Sequence, residues 1–334
     1  PPATRQLSPK RDDDLNEQTR QTLPRLLLLV AALACGLGST ALPRQATAQQ
    51  VPNLQLQRFR PAGGPADYFT TYSSAVAPAW KPTGALYFDF ADAPLRLATS
   101  NNESNEPVST QMTGSLLANI GLFGRAEVNL LLPVTLLQQT QQLKPALTPL
   151  PTGSARLTPQ ALNDMRLAGK FRALNLQTHP VGLAFVGALN IPTGTREAFT
   201  SDRFVGFETQ AIVETWLWRG ARLALNLGYR FRAQAIEFGS ATIGDEFLWS
   251  VGANIPLLVS KLDLVTEFDG AISLAQDNRP GSLHEGERPT EFRAGIRYQL
   301  ADGWTLTSGF GSRLGNGVGV PDVRGFVSIG GHWV

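Results

Sequence analysis

The sequence predicts an all-β fold: a transmembrane antiparallel up-and-down β-barrel of about twelve strands, with about 10 or 14 as the neighbouring alternatives. Three observations predict it. Polar and apolar residues alternate with period two along most of the chain. The connections between the alternating runs are short and long by turns. The runs are about 10 to 14 residues long, whereas a tilted spanning strand needs ~9–11 and strands of soluble proteins average ~5–6. Residues 291–311, EFRAGIRYQLADGWTLTSGFG, show the pattern: Glu291, Arg293, Arg297 and Gln299 alternate with Phe292, Ala294, Ile296, Tyr298 and Leu300. After the hairpin signal Asp302-Gly303 the pattern resumes, with Trp304, Leu306 and Phe310 against Thr305, Thr307 and Arg313.

The elements follow in order. Residues 1–48 read as an N-terminal extension and a secretory signal: Arg20 and Arg25 precede LLLLVAALACGLG, which is too short to span a bilayer, and Ala46-Thr47-Ala48 fits the small-x-small cleavage rule. Residues 49–83 do not alternate and read as a segment that either plugs the lumen or lies along the periplasmic rim. The barrel is expected over 84–334. Its first half carries Leu86, Phe88 and Phe90 on one face, then Met112, Leu116 and Ile120 against Gln111, Thr113 and Asn119. Val128, Leu130, Leu132 and Val134 stand against Glu127, Asn129 and Thr135, and Met165, Leu167 and Phe171 against Asp164, Arg166, Lys170 and Arg172; in 181–191 Val181, Leu183, Phe185, Leu189 and Ile191 stand opposite small residues. The second half sets Phe207, Ala211 and Val213 against Glu208, Gln210 and Glu214, and Leu223, Leu225, Leu227, Tyr229 and Phe231 against Arg222, Asn226, Arg230 and Arg232. Phe247, Trp249 and Val251 oppose Glu246 and Ser250; Leu262, Leu264 and Phe268 oppose Asp263, Glu267 and Asp269; Val323, Val327 and Ile329 oppose Arg324, Ser328 and His332.

Tight turns are expected at 123–124, 175–179, 218–220, 259–261 and 301–303; the other connections are mostly longer and polar, at 94–107, 139–161, 193–203, 234–242 and 276–288, with the short GNGVGVP at 315–321. Short turns on one rim and long loops on the other describe a meander whose two ends lie on the same side. A soluble barrel would turn the apolar parity inward; a membrane barrel turns it outward onto lipid around a polar lumen. Strand length favours the membrane barrel, as do the charges deep in mid-strand and the aromatics on the apolar parity. In lipid the sheet must close, because an open edge cannot be hydrated there.

Composition agrees. Hydrophobic residues make up 43% of the 334 and charged residues only 17%, low for a soluble enzyme, while 32 glycines and 23 prolines supply turns. The segment 1–48 holds six of the 29 basic and four of the 27 acidic residues, so the remainder is formally neutral and gives no footprint for nucleic acid. The single cysteine, Cys35, lies in the signal and lacks the Leu three positions earlier that a lipoprotein motif wants; the rest of the chain has no thiol chemistry.

Several phrases also resemble a known group: GALYFDFADAPLRLAT, IGLFGRAEVNLLLPV, DMRLAGKFR, LNIPTG, LNLGYRFR, IGDEFLWSVGANIPL and GNGVGVPDVRGFVSIG. They are similar to the N-terminal β-barrel of OmpA-family outer-membrane proteins of Gram-negative bacteria, related to the FadL-like phenol-degradation (MetA-pathway) channels, over roughly residues 54–333. The resemblance implies either a passive conduit for small molecules or an envelope anchor. It carries no catalytic group. Many such barrels continue into a peptidoglycan-binding domain; the resemblance here covers the barrel only, so either the sequence stops short of that domain or the member is a barrel alone, and the wall-binding role is not carried over. The final strand offers Trp333 where the barrel-assembly machinery favours a terminal Phe.

The candidate functional residues are the charges expected to line the lumen: Arg166, Lys170, Arg172, Glu208, Glu214, Arg230, Arg232, Glu246, Asp263, Glu267, Asp269, Glu291, Arg293, Arg297 and Arg324. Read as structure, they pair and rigidify the interior; read as function, they form a selectivity ladder for a polar or anionic solute. Their near balance of sign favours pairing. Tyr229, Phe231, Phe247, Trp249, Phe268, Phe292, Tyr298, Trp304, Phe310 and Trp333 are expected to face lipid.

Other motifs carry less. His179, His284 and His332 have no metal-ligand spacing. Ser328 and His332 share a face and invite a phospholipase reading, but four residues of strand separate them by about 13 Å and no nucleophile elbow is present. GNGVGV joins two strands and opens no helix, so it reads as a turn rather than a phosphate loop, and residues 138–160 read as a polar external loop. The expectation is a non-enzymatic outer-membrane channel without cofactor or metal, both chain ends periplasmic. Its expected partners are membrane lipid, lipopolysaccharide, the assembly machinery and a small-molecule solute, and no nucleic acid. The alternative is a non-conducting anchor.

Overall fold

A computed structural model describes residues 54–98, 104–139, 159–195, 198–238, 241–257, 261–274, 285–300 and 303–332. The expected signal and cleavage site, Cys35, most of the 138–160 loop, His284 and Trp333 lie outside the described residues, as does the side chain of His332. The strands are β1 (Pro82–Ala98), β2 (Ser104–Leu122), β3 (Ala126–Gln139), β4 (Ala161–Leu162), β5 (Met165–Leu174), β6 (Val181–Ile191), β7 (Gly206–Trp216) and β8 (Arg222–Phe231). They continue with β9 (Ile236–Phe238), β10 (Ala241–Ile243), β11 (Glu246–Pro256), β12 (Leu262–Ser273), β13 (Thr290–Gln299), β14 (Thr305–Arg313) and β15 (Val323–His332).

Twelve of these close a barrel. Each long strand pairs antiparallel with the next, β8 passes directly to β11, and β15 returns to β1 from Thr83↔His332 to Asp92↔Val323. The two-residue β4 adds to the edge of β3, and β9 with β10 makes a separate hairpin inside the connection at 232–245. That stretch was expected as a plain loop.

The alternation decides which solvent each face meets. On β13 and β14, Ile296 is 48% and Leu306 42% exposed, whereas Arg293 is fully buried. On β1, Leu86, Phe88 and Phe90 are exposed and Tyr87, Asp89 and Ala91 buried. A closed sheet with its apolar residues outside and its charges inside is a transmembrane barrel: water on that outer face would cost ~25 cal/mol per Å², and hydrocarbon removes the cost.

The short turns lie at one rim and the longer connections at the other. The turn after β2 carries Phe123 and Gly124, both at positive φ (53° and 67°), the geometry that matches hairpin twist. Around this rim Trp80, Phe123, Trp216, Trp218, Tyr298 and Trp304 are exposed, and Trp80 packs edge-on to Phe123 at 5.2 Å, an aromatic girdle. Phe231, Phe268 and Phe310 are exposed toward the other rim, and Tyr229, Phe247, Trp249 and Phe292 are half-buried on the same outer parity.

The largest departure from the expected loops is at 94–107. There β1 and β2 continue as a hairpin past two register shifts, between Asp92 and Leu97, with Ala93 at φ 47°. The reason is packing: Leu95 and Val108 are wholly buried in one cluster with Leu54, Leu56, Phe199 and Ile243, which the hairpin has to extend to reach.

Candidate functional site

Residues 54–80 run through the interior of the barrel, from the long-loop rim to the short-turn rim where β1 begins. At the long-loop rim, Leu54 and Leu56 sit in the apolar cluster, Leu56 N–H donates to Phe199 O (3.0 Å) and Gln55 N–H to Asp202 Oδ1 (2.9 Å). At the other rim, Ala77 N–H donates to Glu127 (2.6 Å) and Trp80 N–H to Gly121 O (2.8 Å). Gly121 is needed there, because a Cβ would lie 2.3 Å from the carbonyl oxygens of Ala77 and Pro78. The described chain therefore starts at one rim and ends at the other.

Between the rims the segment meets inward-facing side chains of most barrel strands. Arg58 pairs with Glu246 (3.1 Å) and Arg60 with Glu208 (2.6 Å), near the starts of β11 and β7. Glu208 also takes Arg166 (2.6 Å) and Arg230 (2.7 Å), and Arg232 bridges Glu246 and Asp202. Deeper in, Lys170 lies between Asp67 (2.7 Å) and Glu127 (2.9 Å), all three with no solvent exposure of the charged pairings. Buried charges persist only with such partners.

Two carboxylates hold the backbone of the segment itself. Glu267 accepts the N–H groups of Phe69 (2.6 Å), Thr70 (3.0 Å) and Thr71 (3.0 Å). Glu214 accepts Tyr68 Oη–H (3.0 Å) with one oxygen and the N–H and hydroxyl of Ser74 (2.8 and 2.7 Å) with the other. Asn226 accepts from Tyr72 N–H (2.8 Å) and donates to Tyr72 O (3.0 Å), as a neighbouring strand would, and Arg166 donates to Tyr72 Oη. A segment without a regular ladder thus has its backbone groups satisfied by side chains.

On the opposite wall Arg324 bridges Glu291 (2.7 Å) and Asp89 (2.6 Å), and Arg293 joins Glu291 (2.9 Å) to Asp269. Both guanidinium groups cover the ring of Phe59, at 5.4 and 5.3 Å from its centroid, and Phe326 packs on that ring at 5.0 Å. At the long-loop rim Asp164, between β4 and β5, accepts the N–H groups of Asp202 (2.8 Å) and Gly194 (3.0 Å). Burial pushes its carboxyl above the usual range, while these hydrogen bonds oppose the rise.

Of the fifteen charges singled out in the sequence, Arg166, Lys170, Glu208, Glu214, Arg230, Arg232, Glu246, Glu267, Asp269, Glu291, Arg293 and Arg324 are brought together in these clusters. Arg297 faces inward but binds backbone carbonyls, Arg172 stands at the short-turn rim donating to Gly124 O, and Asp263, on the last turnward pairs of β12, accepts from Asn254 (3.3 Å). Sequence reasoning missed Asp89 and Glu127, whose place on the polar parity was the available signal. It also missed Arg58, Arg60 and Asp67, which carry none. His179 lies in the turn between β5 and β6, its Nδ1 against Thr178 Oγ1, and the GNGVGV stretch joins β14 to β15.

No protein-family model and no curated protein matches the chain. Among solved structures, an outer-membrane channel from Pseudomonas putida F1 superposes with a TM-score of 0.59 at 14% identity, covering 78% of this chain and 98% of that one. The NanC porin (TM-score 0.46, 8% identity, 76% and 100% covered) and the KdgM porin (0.45, 7%, 75% and 99%) are more distant. The likeness to the Pseudomonas protein is one of fold: a closed transmembrane β-barrel.

Proposed function

We propose that this chain is an outer-membrane channel for small molecules, closed in the present state by residues 54–80 and opened by their displacement. One observation carries the reading: a separate segment, tethered through β1 and held by ion pairs and hydrogen bonds to inward-facing side chains of the barrel, runs through the lumen. Polar contacts of this kind exchange readily for water, each contributing only ~0.5–1.5 kcal/mol net, or ~1.5–3 when one partner is charged. The fold shared with a protein described as a channel supports the reading. The resemblance to OmpA-family and FadL-like barrels extends it to hydrophobic solutes, and passage rather than catalysis is its content.

In this reading the short turns face the periplasm and the longer loops the exterior, as in bacterial barrels generally. The carboxyl-terminal end of β15 is then periplasmic. Leu54 lies at the external rim, so the expectation that both chain ends are periplasmic does not extend to the start of the described chain. Lipid and lipopolysaccharide would cover the outer face, with the assembly machinery acting during insertion. The non-conducting anchor is the weaker alternative, since it gives the separate segment nothing to do.

A planar-bilayer recording tests the proposal with a reversible lock. A Cβ built on Gly182 lies 2.7 Å from the Cβ of Ser74, close enough for a crosslink after a small shift. Discrete openings are expected from the folded protein, abolished in oxidised Ser74→Cys/Gly182→Cys and restored by reductant. Openings that persist unchanged in the oxidised pair would remove residues 54–80 from the gate.

A further inference from the structure

We propose that the short-turn end of the lumen contains a binding site for a small carboxylate, built around Arg297. Among the described residues, Arg58, Arg60, Arg166, Arg222, Arg230, Arg232, Arg293 and Arg324 each meet a carboxylate in the lumen. Arg297 does not. It is 9% exposed, and its Nη2 is spent on the carbonyl oxygens of Asp67 (2.7 Å) and Tyr68 (2.9 Å). Asp263, its register partner on β12, turns to Asn254 instead. Two carbonyls hold the guanidinium in place without neutralising it, and among the described residues it forms no ion pair with a carboxylate.

A cavity of about 80 Å³ lies beside this guanidinium, lined in part by Arg297, Thr83, Tyr87, Thr307 and Ser328 and, over the larger share, by apolar surface that includes Ala85 and Leu117. No acidic side chain lines it. One water needs only ~10–15 Å³ of such space, so a formate- or acetate-sized ion fits. Gly303, Gly330 and Gly331 form the side of the cavity toward the short-turn rim. A fixed cation beside the hydroxyls of Thr83 and Thr307 and the hydrogen-bonded pair Ser328–Tyr87, with no carboxylate in the lining itself, favours an oxyanion through charge-assisted hydrogen bonds to its oxygens. The site does not require the barrel to conduct.

Calorimetric titration of the full, folded barrel in detergent with sodium acetate at constant ionic strength tests this, with inorganic phosphate as the second probe. Saturable acetate binding is expected, weakened roughly tenfold or more in Arg297→Gln, which corresponds to ~1.4 kcal/mol. Because Arg297→Gln also frees two carbonyls of the segment, Thr307→Val/Ser328→Ala is the companion variant; these hydroxyls make no hydrogen bond to the segment among the described residues. It is expected to weaken acetate severalfold with the fold intact. Absence of saturable binding, binding unchanged in Arg297→Gln, or binding unchanged in the hydroxyl pair would each overturn the site. Phosphate binding without acetate binding would overturn the carboxylate assignment.

Discussion

Lys170 shows what keeps a charge inside this barrel. Its ammonium lies between Asp67 of the segment and Glu127 of β3, and the two carboxylates collect further donors, Gly64 N–H (2.7 Å) and Ser73 N–H (2.8 Å) for Asp67 and Ala77 N–H for Glu127. Removing one member strands the others in a site without water, a loss of ~3–5 kcal/mol rather than the small value of a surface pair. Lys170→Met is therefore expected to lower the unfolding free energy of the refolded barrel, from urea titration, by that amount, and Lys170→Met/Asp67→Asn to recover part of it. An unfolding free energy within ~1 kcal/mol of the parent in the single variant would contradict the geometry. Glu267→Gln tests a different contact. It withdraws the charged acceptor from the N–H groups of Phe69, Thr70 and Thr71, so amide exchange at 69–71 should accelerate while the barrel strands stay protected. Equal protection at those three amides would show that the carboxylate does not hold them.

At the scale of elements, the strands were legible and the segment was not, for one physical reason. A strand with lipid on one side and a polar lumen on the other must alternate, so Phe88/Asp89, Leu167/Arg166 and Ile296/Arg293 declare their faces from sequence alone. Residues 54–80 have no such constraint. Their conformation is imposed by Glu208, Glu214, Glu246 and Glu267, which are remote in sequence, and Arg58 and Arg60 look like any two charges in a polar stretch. The hairpin beyond Asp92 was hidden in the same way, since Leu95 and Val108 are buried by partners from four other parts of the chain. The lipid face gives its own prediction. Ile296→Arg places a cation on the outer surface of β13, where a midplane position costs ~2–4 kcal/mol. Its folding yield into vesicles should fall, whereas Gln299→Arg at the end of β13, near the rim, should fold as the parent does. Equal yields from the two variants would mean that Ile296 does not meet hydrocarbon.

At the scale of the whole molecule, twelve strands close a barrel with an apolar exterior and charged interior walls, and among the described residues one segment traverses its interior. Leu54 and Leu56 in the apolar cluster at the long-loop rim, the ion pairs of Arg58, Arg60 and Asp67 in the middle and the Ala77–Gly121 approach at the other rim all tie that segment to the walls. The measurement that bears on this most directly is single-channel current through barrels lacking residues 54–76, with β1 and its approach left intact. The account predicts folded, heat-modifiable barrels with a sustained ohmic conductance where the full chain shows only brief openings. Folded barrels that remain electrically silent without the segment would contradict it, and would mean that the walls close the lumen by themselves.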